Sequence, residues 1–455
     1  MGLKYFGTDG IRGKVGGQIL NEASLRRLGY ALGAYGKTIS EGKPLTVVIG
    51  FDTRESSPWI SEVLIEGLNE HHGYIFNVGV VPTPAVAFSV LEHQATFGIV
   101  ITASHNPSSD NGIKLFNAQG TKLSEAEEAG IEALFEKIPE KAPRLDLRRS
   151  SPVDGLGAYI AHVRSMMHQQ CFANLRIVVD CSHGATSISS PAVLKHFGAE
   201  VIVLNHTPDG QNINEGVGSE HPKGLAERVL QEKADLGIAH DGDGDRVIFC
   251  TEGGKVVDGD QILGILALDR LAKNALEGNA LVATVQSNLG LDNRLRAAGG
   301  VVLREDVGDR NVAAKMRELG AQLGGENSGH IILSERSTTG DGLIAAIEII
   351  RIISESKKSL SALAADIPLF PQETGSLRVE QKVPLESLSC LKADIARQEK
   401  SLGEFGRIMI RYSGTEPKLR FLVEAKTDTK AAEILQSLIE NAKLDFAASQ
   451  APIST

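Results

Sequence analysis

The amino-acid sequence predicts an α/β protein, in which three similar α/β sandwich domains with mixed, mostly parallel sheets are followed by a smaller C-terminal α+β domain. The first observation is a recurring unit in which a short apolar strand leads through a polar loop into an amphipathic helix. The second is that these strands are continuous runs of β-branched and other apolar residues, as in sheets covered by helices on both faces. The unit occurs at Pro44 to Arg54, Leu175 to Thr186 and Ala280 to Leu289.

The C-terminal part of the chain has a different pattern. Two strand-like segments, Arg407 to Arg411 and Arg420 to Ala425, precede an amphipathic helix from Lys430 to Ala442. This arrangement predicts the small α+β domain. The last residues, FAASQAPIST, predict a frayed tail.

Changes in composition indicate where the domains meet. The charged, proline-bearing stretch from Pro139 to Pro152 separates the first domain from the second, and Gly253 and Gly254 lie near the second junction. Pro368 marks the third junction. We therefore expect four domains, over residues 1–152, 153–254, 255–368 and 369–455.

Length and composition exclude several functional classes. With 455 residues, of which 42% are hydrophobic and 23% charged, the chain is long and apolar enough to bury several cores. A formal net charge of -10 and a single tryptophan, Trp59, argue against nucleic-acid binding, which needs basic and aromatic surfaces. An acidic protein can still hold a small cationic pocket, so anionic metabolites stay open as ligands.

The sequence does not predict a membrane segment or a disulfide framework. The best apolar candidate, Leu343 to Ile353, is shorter than the roughly 20 residues of a membrane helix and is interrupted by Glu348 and Arg351. It predicts a soluble helix. The amino terminus lacks the apolar core of a secretory signal. The four cysteines have no CxxC pairing, which favours reduced, buried thiols in a cytoplasmic protein.

The first motif that carries chemistry is TASHNP, residues 102–107, which follows the strand-like segment Phe97 to Ile101. A serine at the end of a buried strand is held by the sheet, yet faces the loop side where α/β domains bind ligands. Ser104 is therefore a candidate nucleophile or phosphate carrier, and His105 a candidate base. The alternative is structural, with Ser104 and Asn106 only forming a turn before the proline.

The second motif is DGDGDR, residues 241–246, after the strand-like segment Leu236 to Ala239. In an extended segment residues i, i+2 and i+4 point to one side, so Asp241, Asp243 and Asp245 would converge. Three clustered carboxylates repel one another unless a cation lies between them, and their hard oxygen ligands suit Mg²⁺. The alternative is a solvated acidic turn. The spacing does not fit a calcium-sensor loop.

The third motif is GGENSGH, residues 324–330, before the apolar segment Ile331 to Leu333. Glu326 and Ser328 offer acceptors and donors of the kind that bind adjacent sugar hydroxyls, and His330 can transfer protons near neutral pH. Read alone, this loop is equally consistent with a tight turn.

The fourth motif is RYSGTEPKLR, residues 411–420. Its two arginines, its hydroxyls and the backbone amides around Gly414 suit a phosphate dianion, although the order of a Walker loop is absent. The alternative is an ordinary hairpin with exposed charges. The amino-terminal segment GTDGIRG, residues 7–13, adds Arg12 as another candidate phosphate ligand. Polar loops from all four predicted domains indicate one shared cleft.

In this order and spacing, the four motifs resemble those of the α-D-phosphohexomutases, which carry a TASHNP serine loop, a DGDxDR metal loop, a GExSGH sugar loop and an RxSGTEP phosphate loop. The resemblance covers essentially the whole chain. Within that family, KYFGTDGIRG and the segment SNLGL, residues 287–291, are most similar to the bacterial branch that acts on glucosamine phosphates. The resemblance implies a cytoplasmic isomerase that interconverts glucosamine 6-phosphate and glucosamine 1-phosphate, a step toward UDP-N-acetylglucosamine and peptidoglycan.

The resemblance also implies a role for each matching position. Ser104 would carry the transferable phosphate as phosphoserine, and one Mg²⁺ per site would be held by that phosphate together with Asp241, Asp243 and Asp245. The other implied catalytic residues are Lys114, His330, Arg246 and Arg12, with Lys114 and His330 as candidates for proton transfer. The implied substrate ligands are Glu326, Ser328 and Arg310 for the sugar, and Arg411, Ser413, Gly414, Thr415 and Arg420 for the phosphate that does not react.

Other functions would use parts of the same site. A phosphoglucomutase or phosphomannomutase would share the motifs. A metal-dependent sugar phosphatase would use the same serine and metal but release inorganic phosphate, whereas a mutase needs a site that excludes water. A non-catalytic sugar-phosphate sensor would need only the phosphate loop, without the serine and the three aspartates. The expected partners are small sugar phosphates, without nucleic acid or membrane, and a homodimer is compatible with the sequence.

Overall fold

The computed structural model describes residues 3–139, 149–413 and 417–449. The chain forms two compact units. The large unit comprises residues 1–286 and 298–366, and the small unit comprises residues 287–297 and 367–455.

In chain order, the strands are β1 (Ile11–Lys14), β2 (Thr46–Phe51), β3 (Tyr74–Val80), β4 (Phe97–Ile101), β5 (Asp110–Asn117), β6 (Ser151–Pro152), β7 (Arg176–Asp180), β8 (Glu200–Leu204), β9 (Leu236–His240), β10 (Val247–Thr251), β11 (Val256–Val257), β12 (Ala280–Thr284), β13 (Val301–Glu305), β14 (Leu323–Gly325), β15 (Ile331–Leu333), β16 (Gln372–Arg378), β17 (Arg407–Tyr412) and β18 (Lys418–Glu424). The α-helices are α1 (Glu22–Ile39), α2 (Ser57–Asn69), α3 (Thr83–Glu92), α4 (Glu125–Lys137), α5 (Gly155–Arg164), α6 (Ser189–His196), α7 (Lys223–Glu232), α8 (Gly259–Ala272), α9 (Leu289–Ala297), α10 (Asp309–Leu319), α11 (Gly342–Ser356), α12 (Leu360–Ala365), α13 (Ser389–Leu402) and α14 (Asp428–Ser449).

The large unit is built on three sheets of the described residues. The first has the strand order β1-β5-β4-β2-β3-β6, the second β11-β10-β9-β7-β8, and the third β13-β12-β14-β15. In each sheet the central pairs run parallel, such as β2 with β4, β7 with β9 and β12 with β14. Antiparallel strands complete each sheet at one side. The predicted mixed, mostly parallel sheets are therefore confirmed.

Helices cover these sheets because the central strands are apolar on both faces. All five residues of β4 and of β9 are buried, as continuous apolar runs require when helices lie above and below. In the first sheet, Leu25, Leu28 and Leu32 of α1 belong to one core with strand residues that include Val47 and Ile99. The sheet consequently holds the carboxyl ends of its strands rigidly, and the loops that follow them carry the predicted motifs.

The small unit contains an antiparallel sheet of order β16-β18-β17, with α13 and α14 beside it. Its core includes Leu419, Phe421 and Val423 of β18 with Ile434 and Leu438 of α14. Alternate residues of one strand thus face one amphipathic helix, which confirms the predicted α+β domain.

Two details of the sequence prediction are wrong. Residues 446–449 were expected in the frayed tail but belong to α14, because Phe446 continues the helical stripe of Leu438 and Ala442 that packs on the core. The four cysteines are free, yet only Cys181 and Cys250 are buried; Cys171 is half-buried and Cys390, in the first turn of α13, is exposed. Of the helices in the described ranges, none combines the length and the hydropathy that a membrane crossing requires.

Candidate functional site

Ser104 lies in the loop after β4 and is almost completely buried, with 1% exposure. Its backbone has a φ of +53°, a conformation that non-glycine residues seldom adopt and that indicates a loop held by its surroundings. Its Oγ donates to Asp241 Oδ2 over 2.7 Å and lies 3.3 Å from His105 Nδ1. Burial, together with nearby Arg246 and Arg12, lowers the pKa of His105. The predicted nucleophile is thus in direct contact with the predicted metal loop.

The metal loop is a tight turn after β9, and the prediction of an extended segment is wrong. Gly244 has a φ of +71°, and a Cβ at this position would clash with Thr186, so glycine is required for the chain to turn here. The three aspartates converge through this turn rather than through strand alternation. One carboxylate oxygen from each of Asp241, Asp243 and Asp245 lies within 4.8 Å of the others.

The electrostatics of this cluster suit a divalent cation. All three carboxylates are buried, and burial together with Asp243 and Asp245 raises the pKa of Asp241 well above its ordinary value. Asp243 Oδ1 and Asp245 Oδ1 are enclosed and have no hydrogen-bond partner among the described residues. Clustered carboxylate oxygens, two of them without a hydrogen-bond partner in the described ranges, are the kind of ligand that a hard cation such as Mg²⁺ prefers. The acidic cluster can therefore hold a metal ion.

Lys114, on β5, places its ammonium group against the same cluster. Its Nζ donates to Asp243 Oδ2 and Asp245 Oδ2, each over 2.8 Å, and lies 3.1 Å from Asp9 Oδ2. Burial opposes the charge, but these three carboxylates raise the pKa of Lys114 well above its ordinary value. In this arrangement the lysine is protonated, so it can neutralise an anion.

Asp9 and Lys122 are site residues that the sequence reasoning missed. Asp9 accepts hydrogen bonds from Arg12 and Lys122, and Lys122 also donates to Asp309 at the start of α10. Although burial disfavours its charge, Lys114, Lys122 and Arg12 hold the pKa of Asp9 well below its usual range. The only sequence signal for Asp9 was its place beside Arg12 in a glycine-rich segment. Lys122 had no motif around it.

The sugar loop adjoins the metal loop. Val247 N donates to Gly329 O over 3.0 Å, so the end of the metal loop is bonded to the sugar loop. His330 lies between two carboxylates, with Nδ1 3.7 Å from Asp245 Oδ1 and Nε2 3.7 Å from Asp309 Oδ2. Burial opposes its protonation, but Asp245 and Asp309 raise the pKa of His330. His330 is thus positioned to exchange a proton near the metal loop.

The other predicted sugar ligands differ in how they are engaged. Glu326 Oε1 accepts from Gly308 N over 2.9 Å, which joins the sugar loop to the loop before α10. Ser328 Oγ is enclosed without a hydrogen-bond partner among the described residues. Arg310 donates to Glu128 Oε1 over 2.6 Å, and burial raises the pKa of Glu128 to about 7 despite this partner.

Arg246 is the last residue of the metal loop. Its Nη1 lies 3.4 Å from Glu220 Oε1. Burial opposes its charge, but Asp241 and Asp245 are the strongest of the neighbouring carboxylates that raise its pKa. Arg246 is a fixed cation beside the acidic cluster.

The fourth predicted loop lies in the small unit. Arg411 of β17 is the register partner of Arg420 of β18, so two cations occupy directly opposed positions. Ser413 N donates to Lys418 O over 2.8 Å, and Lys382 Nζ donates to Ser413 O over 2.6 Å. The predicted ligands Gly414 and Thr415 lie outside the described residues.

Comparison with protein families gives four matches that together span most of the chain. They are the phosphoglucomutase/phosphomannomutase alpha/beta/alpha domains I, II and III, over residues 3–142, 157–254 and 258–370, and the C-terminal domain of the same family, over residues 376–441.

Curated relatives match along almost their full length. A phosphoglucosamine mutase of Symbiobacterium thermophilum is 42% identical over 442 residues, covering 96% of this chain and 98% of the relative. One of Zymomonas mobilis is 43% identical over 445 residues, covering 97% and 99%.

Solved structures share the fold. A phosphoglucomutase/phosphomannomutase family protein from Burkholderia thailandensis has a TM-score of 0.81 at 24% identity, with 98% of each chain covered. N-acetylphosphoglucosamine mutase of Aspergillus fumigatus, in complex with GlcNAc-6P and magnesium, has a TM-score of 0.64 at 17% identity, covering 98% of this chain and 96% of the other.

Proposed function

The chain belongs to the phosphoglucomutase/phosphomannomutase family, and we propose that it is a phosphoglucosamine mutase. Such an isomerase interconverts glucosamine 6-phosphate and glucosamine 1-phosphate. Relatives with that activity in their names are about 42% identical over nearly the whole chain. The observation that carries the proposal is the 2.7 Å hydrogen bond from Ser104 Oγ to Asp241 within a buried carboxylate cluster. A serine in this position is ready to carry a phosphate beside a cation site.

The reaction begins with phosphate on Ser104. A free hydroxyl of the bound sugar phosphate attacks that phosphorus, the bond to Ser104 Oγ breaks, and a bond to the sugar oxygen forms. The proton of the hydroxyl is accepted by a neighbouring group, and the product is a sugar bisphosphate. The bisphosphate then turns over, so that its other phosphate faces Ser104. Ser104 Oγ attacks that phosphorus, the bond to the sugar oxygen breaks, a neighbouring group gives the sugar oxygen a proton, and the isomeric sugar monophosphate is released. One serine thereby serves both ends of the substrate.

The residues of the large unit supply charge and proton transfer. Lys114 and His330 are the proposed proton-transfer groups. The two carboxylates near His330, each 3.7 Å away, stabilise its protonated form. Arg12, Arg246 and the protonated Lys114 lie around the same cluster and neutralise negative charge on the moving phosphoryl group.

Mg²⁺ fits the acidic cluster. Asp241, Asp243 and Asp245 would hold one ion together with the phosphate on Ser104, and the two orphaned oxygens of Asp243 and Asp245 support this assignment. When bound, the ion supplies Lewis-acid stabilisation of charge on the phosphoryl oxygens. Without a cation, the three carboxylates repel one another in a buried site.

Substrate binding is divided between two sets of residues. In the large unit, Glu326, Ser328 and Arg310 bind the sugar; the unpartnered Ser328 Oγ supports this role. In the small unit, Arg411 and Arg420, which occupy opposed positions of β17 and β18, are the proposed ligands of the phosphate that does not react, because arginine forms charge-assisted hydrogen bonds to phosphate. Ser413, Gly414 and Thr415 complete the phosphate loop in this proposal.

One assay separates the proposal from its alternatives. The purified protein is given glucosamine, glucose and mannose 6-phosphates separately, with Mg²⁺ and the matching bisphosphate, and both the 1-phosphate isomer and free phosphate are measured. We expect the largest kcat/KM for glucosamine 6-phosphate. Preferred turnover of the glucose or mannose substrate would instead identify a phosphoglucomutase or phosphomannomutase. Stoichiometric free phosphate would identify a phosphatase, and binding without turnover would identify a sensor.

Three further predictions belong to this proposal. The four domains are assigned to residues 1–152, 153–254, 255–368 and 369–455. The cytoplasmic location and the homodimer stay predictions. Sedimentation of the purified protein measures whether it forms a homodimer.

A further inference from the structure

Arg54 is a buried cation outside every motif that the sequence analysis identified. It follows β2 by three residues and is 1% exposed. Its Nε donates to Asp52 Oδ2 over 2.8 Å. Asp52 also accepts hydrogen bonds from Thr102 Oγ1 over 2.6 Å and Ser57 Oγ over 3.0 Å. The ion pair is therefore held on a frame of neighbouring side chains, and the guanidinium group has a fixed orientation.

The remaining N–H groups of Arg54 all point at the backbone of the serine loop. Nη2 donates to Ser104 O over 3.0 Å and to Asn106 O over 2.8 Å. Nη1 donates to Asp110 O over 3.0 Å and to Pro107 O. With the bond to Asp52, all five N–H donors of the guanidinium are used. One planar cation thus holds four carbonyls of a loop only seven residues long, residues 104–110.

The side chain of Asn214 donates to two of the carbonyl oxygens that Arg54 also binds. Asn214 lies between β8 and α7, and its Nδ2 donates to Ser104 O over 2.8 Å and to Asn106 O over 3.1 Å. Ser104 O therefore receives donors from Arg54 and from Asn214. These bonds fix the peptide group after a residue whose φ is +53°, and so determine where Ser104 Oγ points.

We propose that Arg54 is a positioning residue for phosphoryl transfer, acting through the backbone of the serine loop to hold the Ser104 oxygen against the metal loop. The inference rests on the proposed function, in which Ser104 carries the phosphate. Its bonds are to carbonyl oxygens and to Asp52, so Arg54 acts through other groups. A displacement of about 1 Å in a reacting atom can cost about a hundredfold in rate. Lysine cannot replace Arg54, because three donors on one nitrogen do not match five acceptors arranged around a plane.

The test compares Arg54→Lys with a matched control, Arg26→Lys. Arg26 lies on α1 with a side chain that is 15% exposed. It donates to Glu66 Oε2 over 2.8 and 3.0 Å and to Glu22 Oε1 over 2.7 Å, and its hydrogen bonds among the described residues do not reach the serine loop. Each variant is measured for melting temperature, for phosphate on Ser104 by peptide mass spectrometry, and for kcat and KM with glucosamine 6-phosphate. We expect Arg54→Lys to lose about a hundredfold in kcat, with KM changed less than about threefold, when both proteins melt at similar temperatures. Arg26→Lys should retain wild-type kcat.

Other results would overturn the inference. If folded Arg54→Lys keeps kcat within about threefold of wild type, or if Arg26→Lys loses as much, Arg54 has only a structural role. If Arg54→Lys does not fold, Asn214→Gly decides, since glycine tolerates the φ of +61° at that position and removes the second donor. We expect Asn214→Gly to lose about tenfold in kcat with Ser104 still phosphorylated, and an unchanged kcat would contradict the inference. A wild-type protein without glucosamine-phosphate turnover would instead reject the proposed function itself.

Discussion

The Ser104 hydroxyl donates to Asp241 Oδ2 over 2.7 Å, although the two residues are 137 positions apart in the chain and follow strands of different sheets. This bond joins the loop after β4 to the loop after β9. Replacing the hydroxyl hydrogen with a phosphoryl group would bring phosphate oxygens next to the same three carboxylates. The relationship therefore links the proposed phosphoserine to the proposed metal site and gives a first prediction.

Ser104→Ala removes the atom that carries the transferable phosphate. We expect mutase turnover to fall by on the order of 10³-fold or more, because the remaining site can bind the substrate but has no phosphoryl group to exchange. Peptide mass spectrometry of the wild type should find the phosphate on Ser104. His105→Ala is a useful neighbour for comparison, since it preserves the Ser104 oxygen. Undiminished turnover by Ser104→Ala would remove the phosphoserine mechanism.

Asp243→Ala tests the metal site. Loss of this carboxylate removes one of three convergent oxygen ligands and also the acceptor for Lys114 and Thr83, which both donate to Asp243 Oδ2. We expect weaker Mg²⁺ binding by calorimetry and severely reduced turnover. Chelation should stop the wild type, and added Mg²⁺ should restore it. Glu227→Gln, at an exposed position of α7, should behave as wild type. Full rates in thoroughly metal-stripped wild type would exclude a metal requirement.

Arg420→Ala tests the proposed binding site for the non-reacting phosphate in the small unit. Loss of one of two opposed arginines should reduce kcat/KM for both isomers by roughly thirtyfold or more, while phosphate on Ser104 and Mg²⁺ binding stay largely intact. The bisphosphate intermediate should also escape more often, appearing as free bisphosphate and unphosphorylated enzyme. Lys400→Ala, which removes an exposed cation of α13, is the control. Normal kcat/KM without leakage would leave Arg420 as a surface charge.

Asp341→Asn should change how stability depends on pH. Asp341 caps α11 and accepts from the Tyr159 hydroxyl over 2.8 and 2.9 Å, and its burial raises the carboxyl pKa from 3.8 to about 6. The folded protein therefore keeps a proton that the unfolded chain releases, so this group's contribution to stability decreases as the pH rises from about 4 to about 6. Asparagine preserves the cap but does not ionise.

The corresponding measurement is urea unfolding of Asp341→Asn and wild type from pH 4.5 to 7.5. The unfolding free energy of the variant relative to wild type should rise by about 2 kcal/mol over this range, because part of the effect of a shift of about two pKa units is already present at pH 4.5. Asp154→Asn, which replaces the exposed cap of α5, serves as the comparison for a cap substitution. A constant difference for Asp341→Asn would mean that its carboxyl group is ionised throughout this range.

Much of the fold followed from local pattern. The strand-like segment Phe97 to Ile101 was predicted at the bounds that β4 has in the structure, and the apolar segment Ile331 to Leu333 coincides with β15. Short continuous apolar runs that are rich in β-branched residues favour strands buried on both faces, so they predicted the layered architecture. The helix of residues 343–353 was likewise predicted, because its two charges fall within an apolar run too short for a membrane.

The tail and the metal loop mark where local pattern was insufficient. α14 extends to Ser449 because Phe446 finds a hydrophobic partner in the core, which a terminal segment cannot reveal by itself. The three aspartates of the metal loop converge, as predicted, but they do so through a turn at Gly244. The prediction had assumed an extended segment, in which alternate side chains point to one side.

The sequence by itself determined the strand and helix order, the positions of the polar loops after their strands, and the side chains that can bind phosphate, sugar and a hard cation. Only the tertiary structure decided which charges meet. Lys122 lies between Asp9 and Asp309, 113 and 187 positions away, and Arg54 lies under a serine loop some 50 positions further along the chain. Such pairs depend on how sheets and loops pack, and Coulomb energies depend on the distance and burial that packing creates. No spacing along the chain encodes either quantity.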